Sequence, residues 1–407
     1  MSRTLQGQDD ALIGSWNARQ KLAAQGVEPY AILASEAWGN VAGGLKTGAQ
    51  YDQLLDFGVR LDTAKLGWWS GGNFLVQGHW VQRVGGGSCF DEYTGAFNPV
   101  SGVMADDQIR MFNLYYRQTW HDGAVVVKFG QIAVDDDFML SDYAGLFLNS
   151  AFGAMPSQVG TPLATSCGNG PAFPIYSVAA PGIFLQVRPW KPFYSQLGLY
   201  YGNPGPDEAG NYGFDWINQS YELGLFWESG YAYTFAKHGG TFRFGLSYHT
   251  GPMDDFNTMS AGNAPVERQA VPNYYVVNDF QLLTDGEGKT KLGLFCRGGI
   301  TPEPDLSMVS LYVDGGLNWF APLRSRPEDV AGVAISYTQF GRAFRDNTGP
   351  DGIAANETTL ELTYKDKVTR WLTMQADTQI LFNPVVNTDS HSRETAVVLG
   401  LRAVVTF

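Results

Sequence analysis

The 407-residue chain carries 27 Lys+Arg against 40 Asp+Glu, a net charge of −13, with only 16% charged residues and 49 glycines beside 20 Tyr, 25 Phe and 11 Trp. At 44% hydrophobic it is too apolar to stay disordered, and its acidity, with no Lys/Arg run, excludes a nucleic-acid-binding face. No stretch approaches the ~18 apolar residues of a membrane-spanning helix, but a mean hydropathy of −0.15 is compatible with a barrel whose strands alternate between lipid and water.

The opening MSRTLQGQDD lacks a charged n-region and an apolar h-region. It is read as a mature form behind an added Met, with its signal peptide removed. Asp9 and Asp10 then precede LIGSWNARQKLAAQG, where Leu12, Trp16 and Leu22 fall near helical spacing and Gly26 marks the stop. Residues 1–27 are therefore expected to form an N-terminal segment with one short amphipathic helix. No linker divides the remainder, and residues 28–407 are expected to form a single domain.

From residue 28 onward, short segments alternate with period two, and about 16 strands are expected. The last is the cleanest: Val397, Leu399, Leu401, Ala403, Val405 and Phe407 share one face, Gly400 and Arg402 the other. Likewise Leu197, Leu199 and Tyr201 point outward beside inward Gln196 and Tyr200. Phe242, Phe244, Leu246 and Tyr248 point outward beside inward Arg243, Ser247 and His249.

Connection lengths alternate as well. Long ones run from Gly85 to Asp107, Val134 to Ala179, Gly202 to Asn218, Gly251 to Pro272 and Gly341 to Glu357. Short ones are His121 to Gly123, Pro189 to Pro192, Lys237 to Gly240, Asp285 to Thr290 and Lys365 to Arg370. Turns at one end and loops at the other are the asymmetry of outer-membrane barrels. Trp68, Trp69, Trp190, Trp319, Phe320 and Trp371 sit at the turn-side ends, where an interfacial aromatic girdle is expected. The fold expected is all-β, a 16-stranded antiparallel transmembrane barrel, and at that strand number the interior holds an aqueous channel.

Chemical motifs are few. Gly286 to Thr290 ends like a phosphate-binding loop, but Leu283 stands where the first Gly belongs and a strand follows instead of a helix. The five histidines, His79, His121, His238, His249 and His391, are dispersed, so no metal site and no cofactor are expected. His79 and His249 are the two candidates for a catalytic barrel, with a lumen-facing polar side chain as the commoner reading. Asn218-Gln219-Ser220 and Asn356-Glu357-Thr358 match glycosylation acceptors by a pattern that occurs by chance. Cys89 and Cys167 both fall in long connections, where a disulfide joining the second loop to the third is expected, while Cys296 lies on the apolar face of its strand.

The polar parity of each strand gives an expected pore lining: Glu36, Asp56, Arg60, Gln77, His79, Arg117, Lys128, Arg188, Glu222, Arg243, Asp279, Arg297, Asp314 and Arg402. Opposed charges set the field across a pore, and Arg and carboxylate groups offer paired hydrogen bonds to polyhydroxylated solutes. The third long connection, beginning VDDDFMLSDYAGLFLNSAFGAMPSQ, is too apolar for a loop in water and is expected to fold inward.

The stretches SWNARQKLAAQGV, YYRQTWHDGAVVVKFGQIAVDDDFMLSDYAGLFLNSAFG, LELTYKDKVTRWLTMQADTQILFNP and AVVLGLRAVVTF together resemble the OprB carbohydrate-selective porins of Gram-negative outer membranes. The resemblance covers most of the chain and its middle block is the most specific. It implies a homotrimer of 16-stranded barrels in lipid and lipopolysaccharide, passing glucose-like mono- or oligosaccharides by diffusion through an eyelet narrowed by the third loop. The eyelet positions it implies are Arg117, Lys128, Asp135, Asp137, Asp142, Phe147 and Asn149. The Asp135-Asp136-Asp137 run, Arg117 and the Cys89/Cys167 pair depart from the family pattern. A general or ion-selective porin, an outer-membrane hydrolase and a barrel for polysaccharide export or docking are the alternative readings.

Overall fold

The computed structural model describes residues 11–13, 17–84, 91–159, 173–208, 210–258, 266–269, 272–323, 325–346, 354–384 and 394–407. Sixteen antiparallel strands close into one barrel. They are β1 (Val27–Ala42), β2 (Gly48–Asp62), β3 (Gly72–Val84), β4 (Gln108–Trp120), β5 (Val125–Ile132), β6 (Ala180–Trp190), β7 (Phe193–Tyr201) and β8 (Leu223–Phe235). The second half comprises β9 (His238–His249), β10 (Asn273–Thr284), β11 (Thr290–Ile300), β12 (Val309–Phe320), β13 (Val330–Phe340), β14 (Asn356–Lys367), β15 (Leu372–Phe382) and β16 (Ala396–Thr406). Each strand pairs with its sequence neighbours, and β16 returns to β1 in a register that sets Leu33 opposite Val405 and Glu36 opposite Arg402. Closure leaves no unpaired edge, the condition for strands to cross a membrane. A small separate hairpin pairs Pro252–Asp254 with Glu267–Gln269.

The alternation that marked the strands is the burial pattern of the wall. Leu197, Leu199, Phe242, Phe244, Leu399 and Leu401 are exposed outward, while Gln196, Arg243 and His249 are buried inside. The glycine content has a packing cause: inward glycines make room for the rings of neighbouring strands and loops. A Cβ on Gly400 would stand 2.2 Å from Trp38, on Gly245 2.3 Å from Tyr275, and on Gly48 2.2 Å from Tyr93.

The turn-side end is tight. Ala236 and Lys237 form a two-residue turn at φ 47° and 72°, and His238 already pairs with Phe235, so this turn is shorter than the Lys237 to Gly240 expected. The loop-side connections, numbered in chain order, include loop 1 (43–47), loop 2 (85–107), loop 3 (133–179) and loop 4 (202–222). Loop 1 is short, so the length asymmetry is not strict. Trp68, Trp69, Trp120, Trp190 and Trp319 are exposed at the turn-side rim, with Trp190 stacked on Phe193 at 5.1 Å. Phe320 and Trp371 are half-buried there.

The N-terminal helix, α1 (Asn17–Ala24), belongs to that rim and not to the lumen. Arg19 Nη1 donates to the Phe407 carbonyl at 2.7 Å, and the Asp62 amide donates to the Gly26 carbonyl at 2.9 Å. Gly26 ends the helix at φ +90°, where a Cβ would meet the Asp62 carbonyl at 2.7 Å. Trp16 lies outside the described residues.

The principal apolar core lies inside the barrel, between loop 3 and the inner wall. Val134, Phe138, Met139, Ala151, Met155, Val159, Phe173 and Ile175 of the loop pack on Phe184, Tyr200, Phe226, Tyr275, Tyr312 and Phe340 of the strands. A second cluster seats Ala96 and Val100 of loop 2 on Trp38, Leu381 and Val398. Substituting Gly400→Ala should lower stability by about 1–3 kcal/mol, because Trp38 must leave its seat. Gly286→Ala, with nothing within 4 Å of the new Cβ, should leave the thermal unfolding midpoint unchanged. The two variants are compared by that midpoint in detergent.

Candidate pore constriction

A barrel this wide cannot be filled by its own side chains, and here two loops enter it. An inward loop brings its backbone N–H and C=O groups with it, and each needs a partner once buried. The wall supplies them. Glu361 accepts from the amides of Leu148 and Asn149 at 2.6 and 3.0 Å, Asp279 from the Asp142 amide at 3.0 Å, and Glu228 from the Met139 amide at 3.2 Å. Glu357 does the same for loop 2, taking the Phe97 and Asn98 amides at 2.6 and 3.0 Å. Carbonyls are met by Arg297, which donates to Gly153 at 2.7 Å and Ala151 at 3.0 Å while paired with Asp314. The two loops also bond to each other, Gly102 N to Leu148 O at 2.8 Å and Ser150 N to Pro99 O at 2.9 Å.

This arrangement corrects several expected roles. Arg297, Asp314 and Asp279 are loop anchors, 3% exposed or less, and not contacts for a passing solute. Phe147 is buried against Phe152 and Phe295, with ring centres at 5.1 and 5.6 Å. Asn149 is also buried: its Oδ1 accepts from the Ala151 amide and its Nδ2 donates to Gln379. Both hold loop 3 in place instead of facing the lumen. Glu36 is fully buried, paired with Arg402 and bonded by Trp38 Nε1. Asp56 accepts from Tyr30 and Gln77, Gln77 accepts from Asn113, and Asn113 donates to Asp136 of loop 3, a polar chain from wall to loop. His79 is stacked on Phe112 at 4.2 Å, and His249 is held by the Gly202 carbonyl. Glu222 stands at the loop-side mouth beside Ser220, before β8 begins. Cys89 and Cys167 lie outside the described residues.

Other expected residues come together. Arg117, Arg188 and Arg243 of the wall and Asp136 and Asp137 of loop 3 line one cleft of ≈ 230 Å³, with Gln186, Gln196, Tyr194 and Glu228. Lys128 is buried in the wall, ion-paired with Asp137 and 4.9 Å from the centre of the Tyr115 ring. Asp142 is exposed to the lumen and lies 3.7 Å from Arg243. Arg60 packs over Tyr30 at 5.1 Å. Burial, reinforced by Asp136, pushes the Asp135 carboxyl up to about 7, against the opposing bond from the Tyr176 amide.

Two features escaped the sequence reading. Loop 2 also folds inward, which its Tyr93, Phe97, Val100 and Val103 could have signalled, as the apolar content of loop 3 did. At the loop-side mouth, Arg110 binds Asp207 of loop 4 at 3.0 Å and the Ser177 carbonyl at 3.0 Å, while Arg83 binds Asp106 at 2.7 Å. The two Arg110 contacts join residues 97 and 67 positions apart and the Arg83 pair residues 23 apart, which no local pattern reveals.

The family model described as "Carbohydrate-selective porin, OprB family" matches residues 46–407. The chain belongs to that family. Porin B of Pseudomonas aeruginosa is 25% identical over 413 aligned residues, covering 92% of this chain and 87% of that protein. The high-pH structure of Pseudomonas putida OprB superposes with a TM-score of 0.81 at 22% identity, covering 96% of both chains. The low-pH structure of the same protein gives 0.61 at 18% identity, covering 98% of both. These two likenesses speak to the fold. With the family and the closed barrel together, this OprB-family chain is a carbohydrate-selective porin of the Gram-negative outer membrane.

The anchoring scheme makes two expectations for this porin. Arg297→Met leaves Asp314 buried without its cation and should cost about 3–5 kcal/mol. It should also release the loop 3 carbonyls, read as larger and noisier single-channel current; adding Asp314→Leu should restore only part of the thermal midpoint, because the Gly153 and Ala151 carbonyls stay unmet, and not the quiet current. Because the folded Asp135 carboxyl titrates above its unfolded value of about 3.9, its contribution is fully present below that value and is lost as pH rises through about 7. Thermal unfolding from pH 4 to pH 8 should therefore destabilise the wild type more than Asp135→Asn, by roughly 1–3 kcal/mol.

Proposed function

We propose that this porin passes glucose-sized sugars down their gradient into the periplasm, without catalysis, through the gap that loops 2 and 3 leave in the lumen. The observation that carries the reading is the two-sided edge of that gap. Asp136, Asp137 and Asp142 project from loop 3, while Arg117 and Arg188 project from the wall with the amides of Gln186 and Gln196 between them. A polyhydroxylated solute donates to carboxylates and accepts from guanidinium groups at once, whereas a simple ion gains from one side only. Of the positions expected from sequence, Arg117, Asp137 and Asp142 form this edge in the proposal, Lys128 holds Asp137 from inside the wall, and Asp135, Phe147 and Asn149 support the loop that carries it. A homotrimer set in lipid and lipopolysaccharide is part of the same proposal, and the particle mass in detergent tests it.

The reading is tested by single-channel current in a planar bilayer, titrated with glucose, maltose and a neutral non-sugar of similar size. Saturable block by the sugars and none by the control is expected. Asp142→Asn should weaken the glucose block by about threefold to tenfold, the worth of one charge-assisted hydrogen bond partly exposed to water. Current indifferent to sugar would make the chain a general diffusion porin, and no current would favour a docking barrel.

A further inference from the structure

Lumen-facing arginines in this chain are normally matched by its own carboxylates. Arg83 pairs with Asp106, Arg110 with Asp207, Arg243 with Asp279, Arg297 with Asp314 and Arg402 with Glu36. Acids outnumber bases by 40 to 27, so unmatched guanidinium groups are not a matter of supply. Arg117 and Arg188 nonetheless have no carboxylate within 4.0 Å among the described residues, are both exposed, and line the same cleft.

Arg188 is held in a receiving posture. Its Nε donates to Gln186 Oε1 at 3.1 Å, and its guanidinium carbon lies 5.7 Å from the centre of the Tyr194 ring. Gln186 is fixed in turn by donating to Gln196 at 2.7 Å. One edge and one face of the guanidinium are thus committed, and the two terminal nitrogens, the pair that matches a carboxylate, are left to the cleft. The acids around it are mostly spoken for. Asp137 is ion-paired with Lys128. Glu228 accepts from the Tyr194 and Tyr275 hydroxyls, the Gln196 amide and the Met139 backbone. Asp136 alone meets a single neutral donor, Asn113, at 2.9 Å.

We propose that this cleft is a subsite for carboxylated monosaccharides, uronic or aldonic acids, whose carboxylate lies between Arg117 and Arg188 while Asp136 takes a hydroxyl at the other end. The inference rests on the sugar-channel reading above and names a second substrate class for it. Asp136 gives the subsite its polarity: it repels the carboxylate end and accepts from the hydroxyl end. A ligand with both groups is read, whereas a small anion lacks the hydroxyls and glucose lacks the charge.

The test is block of single-channel current by glucuronate, glucose and acetate, for the wild type, Arg117→Gln/Arg188→Gln and Arg117→Lys/Arg188→Lys. Glucuronate should block the wild type at lower concentration than glucose, and more so at low salt. The glutamine pair should reduce the glucuronate-to-glucose preference by about tenfold or more. The lysine pair should restore only part of it, because the charge returns without the paired donors. Asp136→Asn should narrow the gap between glucuronate and acetate, because it removes the acceptor for the hydroxyl end while relieving repulsion of either carboxylate. Equal loss for glucuronate and glucose in the glutamine pair would overturn the subsite and leave the arginines as general sugar contacts. Equal loss for glucuronate and acetate would reduce it to unspecific anion attraction. Failure of glucose to block the wild type while glucuronate still does would refute the neutral-sugar reading and leave the subsite standing.

Discussion

The structure turns on the hydrogen-bonding demand of backbone buried inside a wide barrel. Sixteen strands enclose more space than their own side chains fill, and loops 2 and 3 occupy it. Their apolar side chains find a seat on the inner wall, but their amides and carbonyls must also be met away from water. The wall answers with side chains of matching sign, carboxylates for amides and Arg297 for carbonyls. Charges that read as pore lining are in this way largely structural, and in the proposed function the few left exposed are the ones that meet a solute.

That division explains how much the sequence disclosed. Strand positions, the outward apolar faces, the turn-side aromatics and the inward third loop follow from period-two alternation and from loop composition, which are local properties. The division of inward charges between buried anchors and exposed groups is not local. Glu361 and Asp142 look equally suited to a lumen, yet one is bonded to the backbone at positions 148 and 149 and the other is exposed. Phe147 and Asn149 misled for the same reason: they sit in the loop that narrows the channel but on its wall side, and only the seat formed by Phe295, Phe152 and Gln379 reveals it.

Separating buried anchors from exposed groups also underlies the channel chemistry proposed above. A loop fixed by many bonds holds Asp136 and Asp142 in place, so in the proposed function the charges that meet a solute are preorganised. Lys128 takes up Asp137, and donors saturate Glu228. In the proposed function, what remains is a hydroxyl-reading edge for neutral sugars, and two guanidinium groups in one cleft are the proposed partner of a sugar acid.

The central claim is that loop 3 is part of the wall's own bonding and not a flap resting on it. Amide hydrogen exchange of the intact porin in detergent, resolved over residues 138–152, tests this most directly. The account predicts protection of the Met139, Asp142, Leu148 and Asn149 amides comparable to that of β11 and β12. Exchange of those amides as fast as in the exposed turn at 285–289 would contradict it.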